Sequence, residues 1–285
     1  MAPEPLHVIT LVHGRERQLD NLIRGLERGR RAPDALWVVC MNQPVRHLSS
    51  AKFPIHCLHV QGDAPGLPLA RARNAARGCD AERWVFLDVD CIPGERLINS
   101  YAQGFEEHPD AVQVGEVRYL PDSANLATWT QTSLEREAVV HPLSQYRGEA
   151  GSALPHHLFW SLNFACTRRV FEIIGGFDEG YAGYGAEDTD FAFAARAKGI
   201  DMRVSSALAF HQYHPTWRPP LNHFQAILAN ARRFHQRWQV WPMEGWLSEF
   251  ADRGLLDWST DALTVLREPQ ADEIDACFDE TRSGF

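Results

Sequence analysis

Three groups of residues in this 285-residue chain combine reactive types with a spacing that lets them act together. Asp88-Val89-Asp90 puts two carboxylates one residue apart. Asp178-Glu179 precedes Glu187-Asp188-Thr189-Asp190 across the glycines Gly180, Gly183 and Gly185, and His211 and His214 follow. Hard carboxylate oxygens suit Mg2+ or Mn2+, and an added imidazole tilts such a site towards Mn2+. An acid outside the metal set is then available as a base. Zinc is disfavoured, because no Cys/His spacing of a structural zinc site is present. Each group also has a plain structural alternative. The Asp-x-Asp can be a polar strand exit, Asp188 an N-cap for a helix starting near Thr189, and His211 a core histidine satisfied by its neighbours.

These residues need elements to position them. A β-branched run at 6–12 predicts a buried strand that opens into the loop His13-Gly14-Arg15. Leu19, Leu22, Ile23 and Leu26 recur at helical spacing, and apolar runs at 36–41 and 55–60 predict two more strands. After a Pro/Gly-rich loop at 62–68, a helix is expected over 69–78 and a fourth strand over 84–87. That strand delivers Asp88 and Asp90 at its C-terminal end, where open α/β sheets bind their ligands. Further strands are expected at 112–117 and 159–165, a short helix at 169–174 stopped by Gly175-Gly176, and an irregular loop at 144–157. Leu221, Phe224, Ile227, Leu228, Ala231, Phe234 and Trp238 form an i, i+3/i+4 stripe, the core face of an amphipathic helix. Alternation of strands and helices predicts an α/β fold with a parallel sheet.

Composition narrows the function classes. With 45% hydrophobic and 23% charged residues the chain can bury a sizeable core, which excludes disorder as its main state. A formal charge of -9, from 28 basic and 37 acidic residues, disfavours a nucleic-acid surface. Lys52 and Lys198 are the only lysines, so arginine supplies the positive charge, and its planar fork suits phosphate. The six cysteines are scattered and read as reduced thiols. No apolar run reaches about 18 residues, the length a transmembrane helix needs, and Met1-Ala2-Pro3-Glu4-Pro5 lacks the basic start of a secretion signal. A soluble cytoplasmic protein is the expectation.

Read in order, the motifs carry a family resemblance. Arg15 follows the first strand; Ala72-Arg73-Asn74-Ala75-Ala76 and Phe86-Leu87-Asp88-Val89-Asp90 come next. Gly175-Gly176-Phe177-Asp178-Glu179, then Gly183-Tyr184-Gly185-Ala186-Glu187-Asp188-Thr189-Asp190, then His211 complete the series. The chain resembles the GT-A glycosyltransferases, specifically inverting family-2 enzymes whose C-terminal half is similar to the β-1,4-galactosyltransferases. The resemblance covers residues 6 to 240. It implies a single GT-A domain with a Rossmann-like, mostly parallel sheet over 1–240. Within it, 6–120 is the nucleotide-sugar half and 121–240 the acceptor and catalytic half, and a helical extension is expected over 241–285.

The same resemblance implies roles residue by residue. Asp90 holds the metal, Mn2+ or Mg2+, that bridges the donor diphosphate; Asp88 lies near the ribose and supports the metal; His211 completes the coordination, with His214 as the competing choice. Asp188 is the general base, and Glu187 orients hydroxyls. Val12, Arg15, Asp63, Arg73, Asn74 and Val89 join Asp88 around a nucleoside-diphosphate sugar, a UDP-sugar first. For Arg15 a surface pairing with Glu16 or Asp20 stays open. Tyr184, Trp160, Trp217 and Asp178 are the acceptor-facing candidates, for a glycan, glycolipid or small-molecule acceptor. Two other readings stand beside this one. A haloacid-dehalogenase-like phosphatase also has an Asp-x-Asp after an apolar strand, but Ile92 and the position of Lys198 fit it poorly. A catalytically silent sugar-nucleotide or glycan-binding module would keep the pocket without the base.

Overall fold

The computed structural model describes residues 4–62 and 66–279. The N-terminal half runs β1 (Leu6–Val12), α1 (Glu16–Arg28), β2 (Ala35–Met41), β3 (Ile55–Val60), α2 (Leu69–Asn74) and β4 (Arg83–Leu87). There follow β5 (Cys91–Pro93), α3 (Leu97–Glu107), β6 (Val112–Tyr119), α4 (Gln131–Glu137), β7 (Val139–Val140), β8 (Asn163–Thr167) and α5 (Arg168–Ile174). Next are α6 (Glu187–Ala197), β9 (Met202–His211), β10 (Thr216–Trp217) and α7 (Phe224–Trp238). The chain closes with α8 (Glu244–Asp252), β11 (Leu256–Trp258), β12 (Leu263–Val265), α9 (Ala271–Asp275) and β13 (Phe278–Asp279).

One sheet organises the molecule, in the order β3-β2-β1-β4-β8-β6-β9-β5, with β7 added beside β6. The β3-β2-β1-β4 ladder is parallel, as is β6-β9, whereas β8 runs antiparallel to both β4 and β6, and β5 antiparallel to β9. Most strands therefore share one direction, and β5, β7 and β8 oppose it. Because strand side chains alternate between faces, β4 feeds two cores. Trp84 and Phe86 join Phe164, Phe171, Phe177 and Phe191 on one face, where the Phe86 and Phe164 rings stack at 4.6 Å. Val85 and Leu87 join Leu19, Leu22, Leu26 and the α3 residues Leu97, Ile98 and Tyr101 on the other. Each buried large side chain contributes about 1.5–3 kcal/mol.

Three sequence expectations shift. The strand expected over 159–165 starts at Asn163, because β4 ends at Leu87, opposite Asn163, and leaves the earlier residues no ladder to join. Phe159 is instead a buried loop residue and Trp160 is 37% exposed. The helix expected near Thr189 starts at Glu187, after Ala186 in the left-handed region at φ 71°, so Asp188 lies inside the first turn and is not its N-cap. The extension after 240 is helical only in part. Leu256 to Val265 folds back as the β11–β12 hairpin, and β13 pairs with β10, since alternating Leu263-Thr264-Val265 has strand period and no helical stripe. Leu247, Phe250, Leu255 and Leu256 of this segment share a core with Leu221, Phe224, Ile227 and Leu228.

Candidate active site

The site sits where four strand ends meet. β4 stops at Leu87, and the Asp88 amide donates to Leu162 O at 2.8 Å. The turn Asp88-Val89-Asp90 closes with the Cys91 amide donating to Asp88 O at 2.9 Å and sends the chain back as β5. β5 pairs Cys91 with His211 at the end of β9, and β9 pairs His211 with Tyr119 at the end of β6. The Gln212 amide donates to Asp90 O at 2.7 Å, so the second aspartate is pinned beside the histidine by main chain alone.

Asp90, His211 and His214 each bring one ligand atom to within 4.8 Å of the other two. Asp88 is not part of that cluster; it stands at the β4 exit, half-buried, with its charge felt at Asp90, His214 and Tyr184. Asp90 Oδ1 and His211 Nδ1 are buried with no hydrogen-bond partner in the protein. Leaving such atoms unmet costs about 1–3 kcal/mol each, so two orphaned polar atoms on members of the cluster fit a bound cation. Burial, with smaller effects from His214 and Arg15, lowers the His211 imidazole to about 3, which keeps its lone pair free at neutral pH. Burial and the Asp88 charge raise the Asp90 carboxyl, and Arg15, whose Nε lies 3.6 Å from Asp90 Oδ2, offsets part of that. His214 Nε2 is 3.7 Å from the same oxygen. Both histidines thus face one carboxylate.

A second acidic group stands at the start of α6. Gly183 and Gly185 take φ of 71° and 98°, and Ala186 takes 71°, which turns the chain sharply into the helix. Glu187 and Asp188 occupy the first helical positions, where the helix dipole favours negative charge. Glu187 Oε1 accepts from Arg73 Nη1 of α2 at 3.1 Å, and the Arg73 guanidinium lies over the Phe177 ring at 5.0 Å. Asp188 Oδ1 accepts from the Thr189 amide at 2.7 Å. Burial raises both carboxyls, and Arg73 pulls each part of the way back. Two acids that resist ionisation, tied to one enclosed cation, are suited to holding and moving a proton.

Other expected site residues have structural duties. Asn74 Nδ2 donates to Phe177 O and Glu179 Oε1, both at 2.8 Å, and Asn74 Oδ1 accepts from the Phe177 amide at 2.9 Å. It is stitched to the 177–179 loop, with both amide hydrogens committed there. Asp178 accepts from Arg233 Nε at 3.0 Å and Nη2 at 2.8 Å and from the Gly180 amide at 2.9 Å, so it anchors α7. Trp217 packs on Phe278 with ring centroids 4.8 Å apart, inside the C-terminal cluster. Asp190 accepts from Tyr181 Oη, Trp238 Nε1 and Arg237 Nη1 and is buried. Val12 is buried at the end of β1 and Val89 in the aspartate turn. Asp63 lies outside the described residues.

Trp160 and Tyr184 remain open, at 37% and 41% exposure. The Trp160 ring meets His141 edge-on at 4.8 Å, His141 lies 5.9 Å from Tyr119, and Tyr119 lies 5.1 Å from His211, so aromatic contacts run from Trp160 to the metal-ligand cluster. A cavity of about 30 Å³ lies beneath them, lined by Tyr119, His141, Leu143, Arg147, Trp160 and Leu162.

Sequence reasoning missed His141 and Asn230. Asn230 Nδ2 donates to Ala182 O, Tyr184 O and Gly185 O, and its Oδ1 accepts from the Ala182 amide at 3.3 Å. The signal was a polar residue on the apolar face of the α7 stripe, between Ile227 and Ala231. His141 carried none.

Comparison with known proteins relates the chain to glycosyltransferases. A family model described as the N-terminal domain of galactosyltransferase matches residues 145–216, the stretch from the Trp160 loop to the end of the histidine pair. Validoxylamine A glucosyltransferase of Streptomyces hygroscopicus subsp. limoneus is 26% identical over 231 residues, covering 70% of this chain and 49% of that protein. Its namesake from S. hygroscopicus subsp. jinggangensis is 29% identical over 166 residues, 49% of this chain and 38% of that protein. The chain spans about half the length of the curated relatives it matches, or less. Among solved structures, S. aureus TarS 1-349 in complex with UDP superposes with TM-score 0.56 at 14% identity, over 81% of this chain and 65% of that one. GalNAc-T7 with UDP, GalNAc and Mn2+ gives TM-score 0.53 at 14% identity, over 75% and 44%. The fold is that of the GT-A glycosyltransferases, and residues 145–216 are similar to the galactosyltransferase domain.

Proposed function

We propose that this chain is a metal-dependent, inverting glycosyltransferase of the family-2 type, moving a sugar from a nucleoside-diphosphate sugar to an acceptor hydroxyl. The observation that carries the metal dependence is the pair of buried, partnerless polar atoms, Asp90 Oδ1 and His211 Nδ1, beside His214. These three residues hold the cation; Mn2+, present in the GalNAc-T7 structure, is the first choice and Mg2+ the second. When bound, the cation neutralises charge on the departing diphosphate. Arg15, beside Asp90, is placed to pair with a phosphate oxygen, and Asp88 supports the ribose end.

Asp188 takes the proton of the acceptor hydroxyl. The freed oxygen attacks the anomeric carbon as the bond from that carbon to the diphosphate oxygen breaks on the opposite face, which inverts the centre. Glu187, held by Arg73, orients sugar hydroxyls, and Trp160 and Tyr184 offer apolar ring surface to sugar faces. UDP bound to TarS and to GalNAc-T7 supports a UDP-sugar, and glucosyl transfer to validoxylamine A, named for the relatives, supports UDP-glucose and a small-molecule acceptor as the first pair to assay.

Calorimetric titration with UDP tests the reading. Binding is expected with Mn2+ and is expected to weaken at least tenfold in EDTA; at 100 times its Kd the nucleotide should add about 2.7 kcal/mol to stability. Equal affinity in both conditions overturns the metal assignment, and no binding of UDP or GDP overturns the transferase.

A further inference from the structure

Arg147, half-buried on the loop between β7 and β8, lines the cavity beneath Trp160 and has no part in the transfer described above. Its Nη2 donates to Val114 O at 2.8 Å and Gly115 O at 2.9 Å, where the register of β6 on β9 slips between Val114 and Glu116. That duty occupies one nitrogen, and Nε and Nη1 make no hydrogen bond among the described residues. No carboxylate among them forms an ion pair with Arg147 either: Glu116, whose charge it feels, is taken by Arg118 Nε at 2.6 Å. Burial lowers the guanidinium from its ordinary value. A partly buried charge met only by carbonyl dipoles is costly, and an anion brought in from outside would offset that cost. The cavity has room for one. Its volume is about 30 Å³, and a water-sized atom needs roughly 10–15 Å³ of such space, so it takes the two oxygens of a carboxylate and not the larger head of a phosphate. Leu143, Trp160 and Leu162 make much of the remaining wall apolar. The cavity also borders the chemistry. The Tyr119 ring on its wall lies 5.1 Å from the His211 ring, Leu162 O accepts the Asp88 amide at 2.8 Å, and the backbone of Ser161, between Trp160 and Leu162, helps hold the Asp188 carboxyl down.

We propose that Arg147 is a specificity-determining residue that binds the carboxylate of a uronic acid, carried by the donor or the acceptor sugar, in the cavity beneath Trp160. The inference deepens the transferase reading and rests on it. The two carboxylate oxygens pair with Nε and Nη1, a planar fork that a lysine cannot offer, while the Trp160 ring meets the apolar face of the sugar. A neutral hexose, with a hydroxymethyl group in place of the carboxylate, covers the guanidinium without pairing its charge.

Calorimetry on the full chain with Mn2+ at neutral pH tests this in two arms. UDP-glucuronate is compared with UDP-glucose for the donor, and, with UDP present, phenyl glucuronide with phenyl glucoside for the acceptor. In one arm the carboxylate ligand should bind about tenfold tighter or more, and the arm that responds names the sugar that carries the group. Arg147→Gln should cut that preference to about twofold or less, which a purely structural role on β6 would not do, and Arg147→Lys should keep only part of it. Should Arg147→Gln fail to fold, Leu143→Glu, at an exposed position on the cavity wall, brings a carboxylate to the guanidinium and should cancel the preference. No carboxylate preference in either arm overturns the proposal. So does a preference that survives in folded Arg147→Gln or Leu143→Glu, since the carboxylate would then be held elsewhere. UDP that binds without a preference in either arm leaves the transferase reading standing; no binding of UDP overturns that reading and this inference with it.

Discussion

A carboxylate that takes a proton near neutral pH must be ionised yet still basic, and at Asp188, the proposed base, burial raises the carboxyl while the Arg73 charge offsets part of that rise. Asp188→Asn keeps the side-chain shape, and because Ala186 begins the helix, no cap is lost. The variant should fold with UDP affinity within about threefold of wild type and lose 10²-fold or more in transfer, measured as kcat with UDP-glucose. Near-normal turnover would remove Asp188 from the chemistry. The pH profile follows from the sign of the shift. Burial raises the carboxyl, so the base protonates at a higher pH than an ordinary aspartate near about 4, and the acid limb of kcat should lie above that value. Arg73 lowers the Asp188 and Glu187 carboxyls, so Arg73→Gln should move the limb further up; a downward or absent shift would show that another group sets it. At the metal site, His211→Ala and His214→Ala should each weaken the Mn2+ dependence of UDP binding, since both rings reach the same carboxylate.

Elements decide how those side chains are held. α7 reads as a core stripe, and Ile227, Leu228, Ala231 and Phe234 are indeed buried, but Asn230 turns it into a clamp on the loop before α6. Asn230→Ala removes the donor that meets the part-buried carbonyls of Ala182, Tyr184 and Gly185, at about 1 kcal/mol, and should lower the melting temperature. It should also depress transfer more than UDP affinity, because the freed loop carries Tyr184 and leads into Asp188; parallel loss of both would mean a general unfolding effect. The β8 start shows why patterns misplace element ends. Phe159 to Ala165 reads as one apolar run, but a strand lasts only as long as its neighbour, and β4 stops at Leu87. The same early stop exposes Trp160 beside the site.

For the whole molecule, the core shared by α7, α8 and the terminal hairpin joins the last segment to the rest of the chain. Phe250→Ala should cost about 3–5 kcal/mol and shift a single calorimetric transition of the entire chain. Two separate transitions would make the C-terminal segment an independent unit. The order from β1 to β4, the α7 stripe, the carboxylates at the fourth strand's exit and the two histidines were legible in the sequence by itself, because period, turn residues and local motifs are properties of neighbouring positions, whereas α3, β5 and the terminal hairpin were not. Asn74 and Asp178 looked like ligand-facing residues by motif, yet their hydrogen bonds go to Phe177 and Arg233, partners that only folding brings near. Tertiary structure alone decided that Asp90 joins both His211 and His214 without Asp88, since strand pairing sets that distance. It alone put Trp246 beside Tyr184, because a contact between residues so far apart along the chain depends on where helices pack and leaves no periodic trace.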